Sequence, residues 1–321
     1  MRVAVCVPVL LSAVVGLLVP RVVDRIRPDA AVVAATVAAV GCALTTVVCL
    51  GLLAVTWVGQ LPLVAGPAHW PVQILDAHDP VTPAEAGAAL LTLGVLAVAL
   101  GRTVRADLRA ARAVRRFCRS QDGPGTLVVL DGVAPLALAV PGRRPRVVVS
   151  AGLLGALDAT ERRVLLAHEH AHLARRHHLY LTLVAVAATL NPLLRPVKPA
   201  VGYAAERWAD EDAAAAVGDR PLAARALAHA ALATVRARPE PTLPLFAAGF
   251  VRDSVPRRVR ALRAPAPSRR GRMLAAVLAG LVLLAAGAAT GVAAHEVERL
   301  FEAAMHPAVA SSHGPVPSHP A

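Results

Sequence analysis

The stretch ERRVLLAHEHAHLARRHH, residues 161–178, decides how this chain reads. Asp158 stands just before it at an N-cap position. Glu161, three residues on, completes a capping box, so a helix is predicted to begin there. Embedded in the stretch is H-E-x-x-H: His168, Glu169 and His172. Histidines four apart project from one helix face one turn apart, and both imidazoles reach a single tetrahedral zinc at about 2.0–2.1 Å. Glu169, next to the first histidine, is placed to take a proton from a metal-activated water. His170, His177 and His178 crowd the same region. A solvated, His-rich helix end is therefore the competing reading, and a third ligand has to decide.

The spacing of metzincins would require a further histidine in H-E-x-x-H-x-x-G-x-x-H, but position 175 is Arg175, which removes that class. Downstream, Ala200 to Val217 reads as a helix ended by Gly218. Glu206 and Asp210 lie four apart on one face of it. One carboxylate can bind zinc while the other orients a ligand imidazole. Glu211 and Asp212 follow on the same helix, so ordinary solvation is the alternative for the acids alone. Coupled to the capped H-E-x-x-H helix, they read as the rest of a metal centre.

Outward from this core the chain is too apolar for an ordinary soluble enzyme. Of 321 residues, 56% are hydrophobic and 17% charged, with a mean hydropathy of +0.56, against roughly 25% charged in soluble domains. Aromatics at 3% argue against a stacking platform for single-stranded nucleic acid. Four runs suit a bilayer-crossing helix of about 20 residues: Val3 to Val19, Ala30 to Val58, Ala84 to Leu100 and Met273 to Ala294. The second is over-long and must tilt, or break near Gly41 or Gly51. The first lacks a clean cleavage site and is followed by Arg21, Arg25 and Arg27, which marks an anchor rather than a removable leader. Of the 34 Lys and Arg residues, 29 fall between Arg102 and Arg272. The loop from Gly59 to Pro83 has none, so the large basic segment is expected in the cytoplasm with the amino terminus outside. Its arginines are read as topology determinants that touch anionic membrane lipids, not nucleic acid. Cys6, Cys42, Cys49 and Cys118 have no metal-ligand spacing and read as small hydrophobes.

Within residues 102–272, Arg102 to Arg119 reads as a basic amphipathic helix leaving the membrane. Thr126 to Leu130, Leu136 to Val140 and Arg146 to Ser150 read as a small antiparallel sheet, with Arg146 to Ser150 as the edge that aligns an extended substrate. Leu179 to Leu190 is apolar but too short to span, and Asn191-Pro192 stops it, which suits a buried or re-entrant helix near the membrane surface. Tyr203, Tyr180 and His177 are unranked candidates for a second donor to a developing oxyanion. The expected architecture is a mainly α membrane protein with four transmembrane helices. A cytoplasmic α+β zincin-like domain lies between the third and fourth. The divisions are a three-helix membrane region (1–101), the zinc domain (102–272), the last span (273–294) and a short disordered outside tail (295–321).

The stretches LLAHEHAHLARRHH and AAERWADEDAA, after the strand-to-helix join VVVSAGLL, resemble gluzincin-type membrane peptidases. Three spans, a zinc domain and a fourth span are similar to BlaR/MecR-like bacterial membrane metallopeptidases. The resemblance implies His168, His172 and Glu206 as Zn2+ ligands, Glu169 as general base and Asp210 as the group orienting a ligand. It further implies a protein or peptide substrate, such as a winged-helix transcriptional repressor cut in signal transduction. No Ser-x-x-Lys penicillin-binding domain follows the last span, so β-lactam acylation is not expected. The alternatives are an HtpX-like quality-control peptidase and a non-catalytic membrane receptor.

Overall fold

The computed structural model describes residues 2–58, 81–120, 125–132, 134–236, 248–266 and 270–305. The loop expected outside, 59–80, lies beyond them, as do residues 306–321.

Four described helices are long and apolar enough to cross a membrane. They are α1 (Arg2–Val22), α2 (Pro28–Val58), α3 (Pro83–Ser120) and the last helix, α10 (Arg270–Met305). The over-long second span is a single unbroken helix of 31 residues, so the break at Gly41 or Gly51 does not occur. The third span and the basic helix after it are likewise one helix of 38 residues. Gly101, between Leu100 and Arg102, costs about 1 kcal/mol, too little to stop a helix that Ala, Leu and Arg favour on both sides. The last helix also runs beyond Ala294 to Met305, so the first residues of the expected disordered tail are helical.

Three strands follow α3: β1 (Leu127–Leu130), β2 (Ala137–Val140) and β3 (Arg146–Ser150). Their spatial order is β1-β3-β2. β1 pairs with β3 in parallel and β2 pairs with β3 antiparallel. This corrects two expectations: the sheet is mixed, and Arg146–Ser150 is its centre, not its edge. The reason lies in burial. Val147, Val148, Val149 and Ser150 are all buried, and a strand covered on both faces reads as a continuous apolar run rather than an alternation. Val147 and Val149 pack with Leu153 and Leu157 beneath the next helices, while Val148 packs with Cys118 at the end of α3.

Ser150 then caps α4 (Ala151–Gly155), its hydroxyl accepting from the Leu153 N–H at 3.2 Å. The capped helix foreseen at Asp158 is α5 (Ala159–Ala174), with both arms of its capping box present. Arg176 adopts φ 53, the one positive φ of a non-glycine among the described residues. It reverses the chain into α6 (His177–Leu190), then a 3-10 turn (Pro192–Leu194) and α7 (Val197–Val217), ended by Gly218 at φ 74. Two helices, α8 (Arg220–Arg236) and α9 (Ala248–Arg263), precede α10.

The membrane helices and the segment after them are not two separate cores. Val32, Ala35, Ala39 and Cys42 of α2 pack in one cluster with Val184 and Ala187 of α6 and with Val201 and Ala204 of α7. The tip of α6 enters the bundle. Asn191 donates through Nδ2 to Ser12 Oγ at 2.8 Å and to Thr46 Oγ1 at 2.9 Å. Both acceptors lie within candidate spans. The short apolar helix is therefore buried against the candidate spans, and the asparagine at its end is satisfied by hydroxyls, as burial away from water demands.

Candidate metal centre

Helix α5 presents His168, Glu169 and His172, and α7 crosses it to present Glu206 and Asp210. The two histidine Nε2 atoms are 3.1 Å apart. Glu206 turns one oxygen to each: Oε2 to His168 Nε2 and Oε1 to His172 Nε2, both at 3.5 Å. One donor atom from each of the three residues lies within 4.8 Å of the others. Bonds of about 2.0–2.1 Å in a tetrahedron place donors about 3.3–3.4 Å apart. Spacing and donor chemistry both fit zinc.

Around these three groups the side chains are held from behind. His168 turns Nδ1 to Asp210 Oδ1 at 3.1 Å. Burial alone would lower the His168 pKa, but Asp210 and Glu206 outweigh it and lift it to about 10. His172, buried with weaker help from Glu206 and beside a cationic His168, falls to about 4. Glu206 resists burial: the Arg258 guanidinium and the two imidazoles hold it far below the usual carboxylate range. Glu169 goes the other way. Burial first, then the Glu206 charge, push its carboxyl upward against His168 and Arg258, and the Ala139 N–H on β2 donates to it.

Two contributors were not legible from sequence. Arg258, one of the basic residues between Arg102 and Arg272 read above as topology determinants, is instead 2% exposed. Its Nε and Nη2 donate to the two Asp210 oxygens at 2.7 and 2.6 Å, and its Nη1 meets Glu206 Oε2 at 2.9 Å. The only hint was its place in a run of arginines on α9, which looks the same whether a member is inward or outward. His177 was considered only as an oxyanion donor. It is 1% exposed, and its Nδ1 faces His172 Nδ1 at 2.9 Å, with Trp208 at 5.0 Å on its other side. Tyr203 is no donor to this site, because its hydroxyl is hydrogen-bonded to Asp24 on the α1–α2 turn.

The strand nearest Glu169 is β2, which forms one edge of the sheet. Arg146–Ser150 is paired along both of its edges, so the substrate-aligning role expected of it has no edge to act through.

The model of peptidase family M48 matches residues 105–313. No curated relative and no solved structure shows significant similarity to the chain. The matched segment holds the sheet, the H-E-x-x-H helix, the carboxylates of α7 and Arg258, which is where the geometry alone locates the chemistry. On that match, covering well over half its length, the chain belongs to peptidase family M48, a family of metallopeptidases.

Proposed function

We propose that the chain is an integral-membrane zinc endopeptidase in which His168, His172 and Glu206 hold the metal and Glu169 is the general base. The observation that carries this reading is the approach of the three donor groups at 3.1 and 3.5 Å across two crossing helices. Zinc, when bound, polarises a carbonyl and lowers the pKa of a water toward neutrality.

The chain's own residues do the rest. Asp210 accepts from His168 Nδ1–H, which fixes the tautomer with Nε2 free as a ligand. Arg258 clamps Asp210 bidentately and holds Glu206 in its rotamer. Glu169 takes a proton from water as the water oxygen bonds to the substrate carbonyl carbon. It then delivers that proton to the departing nitrogen as the C–N bond breaks. Burial and the Glu206 charge raise its carboxyl, which makes it a stronger proton acceptor than an ordinary carboxylate. The edge of β2 away from β3, whose Ala139 N–H is held by Glu169, is where an extended peptide would align beside the general base.

We assign the peptidase segment to the cytoplasmic side of a bacterial cell membrane on the distribution of Lys and Arg. The α1–α2 turn supports one shared side: Arg257 pairs with Asp24 at 2.5 Å and Arg207 donates to the Asp24 backbone oxygen. Signalling by cleavage of a cytoplasmic repressor is preferred to general quality control. Helix α6 begins on the metal centre at His177 and ends between two spans at Asn191, so a shift in the spans reaches the site through one rigid element.

The test compares new protein N-termini in cells carrying the wild type or Glu169→Gln. A repressor fragment found only with the wild type is the expected result, and many membrane-protein fragments would favour quality control. Glu169→Gln should keep zinc and lose turnover by about 10²–10⁴-fold. Full turnover in that variant removes Glu169 as the base.

A further inference from the structure

Between the α1–α2 turn and the C-terminal half of α9 lies a cavity of about 380 Å3. Its charged lining is Arg25, Arg27, Arg207, Arg257 and Arg260 against one carboxylate, Asp24. That carboxylate is already engaged by Arg257 and by the Tyr203 hydroxyl. Arg207 is 7% exposed, and its Nε has no acceptor among the described residues. Its Nη1 donates to the Asp24 backbone oxygen at 3.2 Å, which fixes the guanidinium as one of the charges in the cavity wall. Arg27 is held by Asp29, at 3.1 and 3.4 Å, and Arg257 by Asp24, which leaves Arg25, Arg207 and Arg260 with no carboxylate partner among the described residues; three such planar forks favour a multi-oxygen anion, and phosphate matches that geometry best.

The depth of the cavity says where such a phosphate would come from. Arg25 ends the first candidate span, and the second begins at Pro28. Gly271, where the fourth begins, packs on the backbone of Arg25, Ile26 and Arg27. The arginines therefore sit where three spans leave the hydrocarbon on the same side, the level of lipid phosphates.

We propose that this cavity binds the phosphate group of an anionic lipid headgroup. The site stands apart from the metal centre, although Arg207 follows Glu206 and Arg257 precedes Arg258 on the same two helices. No part of the assignment rests on metal chemistry.

The test uses the full chain in neutral detergent, titrated with phosphatidylglycerol or phosphatidylcholine, with bound lipid counted by native mass spectrometry. Two arginine pairs are exchanged. Arg25→Gln with Arg260→Gln removes two exposed lining groups that donate to the Arg21 and Pro256 carbonyls, one turn away along the chain, so folding should survive. Arg109→Gln with Arg112→Gln removes the same charge from the exposed face of α3. At about fivefold per arginine, the lining pair should weaken phosphatidylglycerol binding about 25-fold. The α3 pair should change it less than about twofold. Adding Arg207→Gln should abolish the preference over phosphatidylcholine. Equal losses from the two pairs, or no preference in the wild type, would overturn the proposal. Displacement of the lipid by millimolar inorganic phosphate would overturn the lipid assignment and give the cavity to a soluble phosphate compound.

Discussion

Replacing Arg258 by Met separates the charge balance of the metal centre from its packing. In the absence of metal, Glu206 and Asp210 carry two negative charges. The Arg258 guanidinium and a protonated His168, whose pKa is raised to about 10, supply two positive ones. The quartet is neutral and lies largely out of solvent. Arg258→Met leaves one uncompensated negative charge beside Asp210, itself 5% exposed. Breaking a buried pair in this way costs about 3–5 kcal/mol, or on the order of 10 °C in the thermal midpoint of a domain of roughly 200 residues. Zinc changes the sum. The dication replaces the His168 proton, so the Met variant becomes neutral where the wild type carries one positive charge. The loss should therefore shrink on metal binding, and zinc should raise the midpoint of Arg258→Met by more than it raises that of the wild type. Thermal unfolding of the detergent-solubilised chain with chelator and with excess zinc reads both quantities. Equal zinc increments in the two proteins, or a metal-free loss of less than about 2 °C, would refute the argument.

His177→Leu should weaken zinc binding about 10–100-fold by removing the acceptor behind His172, and His177→Asn, which keeps an acceptor near the Nδ1 position, should recover most of it. Chelator competition reads both, and equal losses in the two variants would reduce His177 to packing. Zinc affinity should also fall with acidity. His168 holds a proton up to a pKa of about 10 and His172 releases its own above about 4, so between pH 5.5 and 7.5 binding displaces one proton and affinity rises about tenfold per pH unit. A flat profile would mean that His168 is already neutral. Gly16→Ala should dislodge the Pro192–Leu194 turn, because a Cβ there would lie 2.2 Å from the Leu193 carbonyl oxygen. A lower thermal midpoint with α2 and α3 otherwise intact is expected, and an unchanged midpoint would show that the turn does not pack as closely as drawn.

The parts of the centre that were readable in advance are those fixed by helical period. His168 and His172 repeat at four residues, as do Glu206 and Asp210, and the capping box at Asp158 sets the register of the first pair. Such spacings determine a face whatever the rest of the chain does. Arg258 was not readable because the same residue type in the same run serves the membrane flank, and only the crossing of α9 over α7 turns that one member inward. The sheet failed for a related reason. The run Val147–Val149 lacks alternation, as a strand covered on both faces does, but β1 and β2 are unbroken apolar runs as well, so the run alone does not tell the middle strand from its neighbours. The four spans were legible from length and apolarity alone, while the continuity of α3 past Arg102 was hidden by a change in polarity that leaves helix propensity untouched.

The placement of α6 joins these observations. A soluble peptidase needs the segment between its histidine helix and its carboxylate helix only as a connection. Here that connection is apolar, carries the His172 acceptor His177 at one end, and inserts Asn191 between Ser12 and Thr46 at the other. Arg176, in its left-handed conformation at the start of the segment, sits at a cost of about 1–2 kcal/mol for a non-glycine residue. Such a conformation persists only where its surroundings over-determine it. The surroundings are the imidazole contact on one side and the bundle on the other. Under the proposed signalling role, a movement of the bundle would act on the bend, and through it on the His177 imidazole behind a metal ligand. The polar tip is what gives the membrane a grip on that lever, because an asparagine leaving its two hydroxyl partners would have to carry unsatisfied N–H groups into hydrocarbon.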